Sequence, residues 1–249
     1  MQHPQSSRYW EIDSLRGIAI ILMIAYHFIF DFSFFGGWAV NMSSLPFVIL
    51  QKIIATTFIL LVGVSLTISY SRKRKILDEK GLFFKYFWRG LEIFGYGLII
   101  TLVTFFFLRD GFVRFGILHF IGMSIILAFL LVRFFPRYVL YPFIGAAAII
   151  AGIFLNNLTV SYPWLLWLGI TPEYFYTVDY FPLLPWFGIV LLGLFFGNLL
   201  YPSGKRNFRI ADFSNYRAIR AFSFLGRHSL LIYLAHQPVL VLFLHLFVL

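Results

Sequence analysis

Seven stretches of the 249-residue chain are apolar over lengths close to the roughly 20 residues a helix needs to cross the hydrocarbon core of a bilayer. They fall near 13–31, 47–70, 86–108, 117–134, 138–155, 183–200 and 228–248. Strict alternation of apolar and polar residues, which a membrane barrel requires, is absent. The pattern therefore predicts an all-α integral membrane protein, a bundle of about seven transmembrane helices. Composition agrees: 61% hydrophobic and 12% charged residues, with mean hydropathy +0.87, lie outside the range of soluble domains. The first run carries internal charges and ends in FDFSFFGGW without a small-residue cleavage pattern, so it reads as a retained span, not a cleaved signal. No internal repeat is evident, and residues 1–249 read as a single domain.

In a soluble chain a net charge of +10 would suggest nucleic acid, but here the basic residues cluster in short loops between spans, so topology explains them and no nucleic acid partner is expected. The second loop holds Arg72, Lys73, Arg74, Lys75, Lys80, Lys85 and Arg89, and the sixth holds Lys205, Arg206, Arg209, Arg217, Arg220 and Arg227. The loops at 32–46 and 156–182 contain no Lys or Arg, and the third has only Arg109 and Arg114. The bias places the N-terminus in the cytoplasm and the C-terminus outside, in a multi-pass protein of the cell membrane. Absence of cysteine removes any thiolate nucleophile or disulfide.

The first span, DSLRGIAIILMIAYHFIFD, is threaded with ionisable groups. At ~100° per residue Asp13, Arg16, His27 and Asp31 share one face, while Ile18, Ile21, Leu22 and Phe28 point elsewhere, to lipid or to neighbouring helices. Each such group costs on the order of 3 kcal/mol in a membrane and tends to mark function. Asp13 with Arg16 also fits a simple interfacial ion pair. His27 lies ~16 Å further along the axis than Arg16, past the midplane. Asp31, one turn on, is spaced to hydrogen-bond one imidazole nitrogen and leave the other as a base.

Other polar residues interrupt the later spans. His119 opens the fourth span at a depth similar to His27, suited to polarising a developing oxyanion or binding substrate, although an interfacial histidine would look the same. In the seventh span Ser229, Tyr233 and His236 share one side and His245 the other; Ser229 and Tyr233 suit packing, and His236 with Gln237 lines the interior beside the helix-loosening Pro238. Arg89 and Glu92 are spaced to pair. Metal binding is not expected: no closely spaced histidine pair or cysteine cluster is present, and His27 with Asp31 supplies two ligands at most. No phosphate-binding glycine loop or nucleophile-elbow motif supports a pump or an esterase.

The segment IDSLRGIAIILMIAYH resembles the first-helix signature of transmembrane acyltransferases, in which D-x-L-R-G at the cytoplasmic end leads to a histidine about fourteen residues on, here His27. FGILHFIGMSIILA, PLLPWFGIVLLGLFFGN and LGRHSLLIYLAHQPVL further resemble a prokaryotic family assigned to the catalytic domain of heparan-alpha-glucosaminide N-acetyltransferase, over nearly the whole chain. In the lysosomal relatives the histidine regarded as catalytic lies in the outward loop after this helix. The loop here, FSFFGGWAVNMSSLP, has none, so the chain follows the broader acyltransferase pattern at His27.

The resemblance implies an acyl-CoA donor, acetyl-CoA first among candidates, bound from the cytoplasm, and an acyl group passed to an amine or hydroxyl of a sugar or glycan on the far side. Arg72, Lys73, Arg74, Lys75, Arg89 and Arg227 are then the candidates for the CoA phosphates, with Arg16 on the route inward. His27 is the expected base, Asp31 its orienting partner and His119 the polarising group. His236, Gln237 and Trp186, at the end of the aromatic outward loop, are expected to meet the acceptor. The rival is a small proton-coupled transporter relaying protons through His27 and Asp31. A third reading is an assembly partner, with Gly17 and Gly63 as helix contacts, and a homo-oligomer stays open.

Overall fold

The computed structural model describes residues 8–35 and 40–247; positions 36–39 of the outward loop expected at 32–46, and the last residue of the seventh expected span, lie outside them. Among the described residues eight α-helices follow in order: α1 (Trp10–Phe34), α2 (Leu45–Lys73), α3 (Glu79–Leu108), α4 (Ile117–Phe134), α5 (Tyr141–Leu155), α6 (Leu183–Leu200), α7 (Arg217–Arg227) and α8 (Ser229–Phe247). Among the described residues seven are long and apolar enough to cross a membrane, all but α7, with α5 extended by the turn at Tyr138–Leu140. The chain is an all-α, multi-pass membrane protein.

Five of the expected spans fall within these helices, the one at 138–155 starts with the turn at Tyr138–Leu140 and the one at 228–248 starts one residue ahead of α8, and the first three helices reach further at the polar ends. Arg72 and Lys73 sit in the last turn of α2, where a cation favours the helix dipole. Asp78 accepts the Gly81 amide proton at 2.9 Å and so caps α3. The basic second loop thereby shrinks to 74–78. Helix α7, which falls in what the sequence reading treats as the sixth loop, is a difference of another kind. At about three turns it is too short and too basic to stand out as an apolar run.

The helices gather into two compact units, Met1–Phe58 with Arg209–Leu249, and Ile59–Phe208. In the first, Ile20, Met23 and Ile54 form a buried cluster against which Leu50, Phe58, Leu225, Ile232 and Tyr233 pack. The α1 and α7 backbones are in direct contact: a Cβ on Gly17 would collide with the Phe222 carbonyl, and one on Gly226 with the Asp13 carbonyl. Ser14 and Ser223 hydroxyls, 2.8 Å apart, satisfy each other in that seam. As expected, Ile18, Ile21, Leu22 and Phe28 face outward, apolar and exposed, the surface a lipid-facing helix presents.

In the second unit a small-residue contact joins α2 to α6, where Gly63 lies against Val190 and Gly193 against Leu60. Gly17 and Gly63 thus both serve contacts inside the chain. The aromatic outward segment forms a two-residue parallel pair, β1 (Thr159–Val160) with β2 (Thr171–Pro172), and then folds over the α3–α4 connection. There the Val178 amide donates to the Gly111 carbonyl and the Phe181 amide to the Phe115 carbonyl.

Candidate active site

Helices α1 and α8 bring four polar side chains together between apolar surfaces. The His27 and His236 rings meet edge to face with centroids 4.9 Å apart. One turn beyond His27, Asp31 is 2% exposed and accepts a 2.7 Å hydrogen bond from the Gln237 Nε2 amide on its Oδ1. Tyr233 packs in the core below, while His245 lies on the exposed side of α8.

Hydrogen-bond accounting fixes the protonation pattern. His27 Nδ1 lies 2.9 Å from the Met23 carbonyl, and His236 Nδ1 bonds the Tyr233 carbonyl. A carbonyl only accepts, so both rings carry the proton on Nδ1 and keep a lone pair on Nε2. Gln237 donates to Asp31, which turns its Oε1 into the cluster as an acceptor. His236 Nε2, Asp31 Oδ2 and Gln237 Oε1 are all buried without a partner. Buried polar atoms are normally satisfied, and three unsatisfied ones in one place are an unusual concentration. With His27 Nε2 they present only acceptors, so a complementary ligand group must bring its own protons, as a hydroxyl or an amine does.

One expectation is corrected here. The hydrogen bond anticipated between His27 and Asp31 is not made, because the Met23 carbonyl, also one turn away, takes His27 Nδ1 and Gln237 takes the carboxylate. Arg16 stands apart from the cluster, 3.3 Å from Asp13 in the ion pair that the i,i+3 spacing allowed.

The remaining candidates have local partners. His119, 2% exposed, accepts the Gly116 amide proton on Nδ1 at 3.2 Å, which leaves Nε2 as the protonated nitrogen, 3.4 Å from Thr101 Oγ1. Both ring nitrogens are therefore engaged in holding the start of α4, and Phe94 and Phe115 flank the ring. Beside it, Asp179 accepts the Ile117 amide proton at 3.1 Å; burial pushes its carboxyl up to about 6, opposed by that hydrogen bond. Trp186 opens α6 against Phe181, and it and His119 belong to the second unit.

Among the cationic candidates, Arg72 donates to the Gly204 carbonyl, Lys75 to that of Ser203, and Arg227 to that of Ser223. Lys73 is half-buried and Arg74 exposed. Arg89 pairs with Glu92 at 2.9 Å on the wall of a recess of about 580 Å³. Lys85, Trp88, Tyr86 and Ser69 complete that wall; the sequence reading uses Lys85 for topology alone and leaves out the other three, because nothing in their spacing marks a pocket. Among the described residues no three His, Asp or Glu side chains converge as metal ligands.

Fold and site together define a multi-pass helical membrane protein with ionisable side chains buried between two of its spans. Residues 8–238 match the family described as heparan-alpha-glucosaminide N-acetyltransferase, catalytic, and the chain belongs to that family. Membership points to a transmembrane enzyme of the acetyltransferase type. Neither a curated protein nor a solved structure matches the chain.

Proposed function

We propose that the protein is an acyl-CoA-dependent transmembrane acyltransferase, using acetyl-CoA, that acylates an amine or hydroxyl of a sugar or glycan on the far side of the membrane. The observation that carries this reading is the acceptor-only cluster of His27, Asp31, His236 and Gln237 within the membrane span, in a chain of this family. The acceptor's N–H or O–H donates to His27 Nε2 as its nitrogen or oxygen attacks the thioester carbonyl. The C–S bond breaks, the acyl group stays on the acceptor, and the imidazolium passes its proton to the departing CoA thiolate, which restores the neutral base. His236 Nε2 and Gln237 Oε1 hold the acceptor, and Asp31 fixes the Gln237 amide while its charge stabilises the imidazolium.

On the donor side, the recess carrying Lys85 and Arg89 supplies two cations and the Trp88 ring near one another, which suits a nucleotide phosphate and its base. Arg72, Lys73, Arg74 and Lys75 extend the basic surface of the same unit, and Arg16 and Arg227 that of the other. His119 acts as a positioning residue for α4.

Calorimetric titration of acetyl-CoA into the purified protein tests the donor assignment. Saturable micromolar binding that weakens in Lys85→Gln and Arg89→Gln is expected. Absence of binding by any acyl-CoA to folded protein would overturn the reading and favour pH-driven uptake as the activity to assay.

A further inference from the structure

Helix α7 has two faces of different character. Ile219, Phe222, Ser223 and Gly226 turn toward α1, and the opposite side carries Arg217, Arg220, Ala221, Phe224 and Arg227. Ile219 and Gly226 are ~10 Å apart along α7, yet both meet α1 at one level: Ser14 reaches the Ile219 carbonyl, and Gly226 lies on the Asp13 carbonyl. Helices packed side by side would carry those contacts seven residues along α1. The two therefore cross steeply. With α1 spanning the membrane at the usual modest tilt, α7 lies close to the membrane plane, at the end of α1 that the charge bias puts in the cytoplasm.

The outward face forms an open groove of about 470 Å³ lined by the three arginines, Ala221 and Phe224, with no carboxylate in its wall. Among the described residues no carboxylate pairs with Arg217 or Arg220, and Phe224 is 55% exposed between them. An aromatic ring set among cations on an amphipathic helix is the composition of an interfacial segment. The cations run along ~15 Å of helix in a groove that stays open, the arrangement a row of headgroups meets, whereas a pocket for one soluble anion converges its donors.

We propose that α7 is an in-plane helix whose outer stripe, Arg217, Arg220 and Arg227 around Phe224, binds the phosphates of anionic phospholipids in the cytoplasmic leaflet. The stripe is separate from the α1–α8 cluster, and its test rests on Arg217 and Arg220, which the acyltransferase reading does not use, so the failure of either reading is distinguishable from that of the other.

The test is thermal unfolding of the full chain in mixed micelles titrated with phosphatidylglycerol, with phosphatidylcholine, inorganic phosphate and free CoA as comparisons. Phosphatidylglycerol should stabilise the wild type saturably, and R217Q/R220Q should raise its half-maximal concentration about 30-fold, roughly fivefold per arginine. R217K/R220K should retain most of the effect and shows that the exposed positions tolerate change. Equal stabilisation by phosphatidylcholine, an unchanged phosphatidylglycerol titration in R217Q/R220Q, or protection by CoA or phosphate that R217Q/R220Q loses would each overturn the proposal.

Discussion

Asp31 and Gln237 are 206 positions apart in sequence and joined by one short hydrogen bond, so a double-mutant cycle on the pair is informative. Interhelical hydrogen bonds between neutral groups in membranes couple by only about 0.6 kcal/mol on average. A bond to a charged acceptor is worth about 1.5–3 kcal/mol. The geometry favours the larger figure: the contact is 2.7 Å, Asp31 is 2% exposed, and its other oxygen has no partner to share the charge. Gln237→Ala alone should cost more than the coupling, since it strands a buried carboxylate. Asp31→Ala alone should cost less, because the amide it leaves behind is neutral. Unfolding of Asp31→Ala, Gln237→Ala and the double variant in bicelles by denaturing-detergent titration gives the coupling directly. At least about 1.5 kcal/mol is expected. A coupling below about 0.5 kcal/mol would refute the claim that Asp31 acts as a charged acceptor anchoring α8 to α1.

Gly226→Ala places a methyl group against the Asp13 carbonyl and should destabilise by about 1–3 kcal/mol in the same assay, with Ala221→Ser, on the exposed face of α7, close to neutral. Thr101→Val removes the Nε2 partner of His119 and the hydroxyl that donates to the Val113 carbonyl at 2.7 Å; a loss of about 1–3 kcal/mol without loss of acetyl-CoA binding is expected. Asp179 titrates near 6 in the folded chain against an ordinary value of 3.8, so the folded state favours its protonated form. Its contribution is greatest below pH 4 and lost as pH rises through 6, and Asp179→Asn should flatten that decline in a pH series of unfolding midpoints.

The seven spans were legible because the bilayer imposes length and apolarity together, leaving little room for error beyond the helix ends. Those ends depended on caps such as Asp78, which matter locally and leave no trace in an apolar window. Helix α7 did leave a signal, small or apolar residues at 219, 222, 223 and 226 opposite arginines at 217, 220 and 227, at a period of 3.6. Eleven residues are too few to cross a bilayer, so the length and apolarity that mark the spans leave this shorter period out. The stripe of His27 and Asp31 was read correctly as one face, but its bonding was not. An i,i+4 spacing permits a hydrogen bond without requiring it, and the competing Met23 carbonyl and the Gln237 amide become visible only when α8 is in place. His119 repeats the lesson, since the third residue of a helix can cap its start as readily as it can meet a substrate.

The most direct test of the proposed chemistry is acetyl transfer from radiolabelled acetyl-CoA to a panel of amino sugars and glycans by the protein in proteoliposomes, wild type against His27→Ala. The wild type should label an acceptor, and His27→Ala should lower turnover by about 10²–10⁴-fold while acetyl-CoA binding and the unfolding midpoint are retained. Turnover in folded His27→Ala equal to that of the wild type would contradict the assignment of His27 as the base.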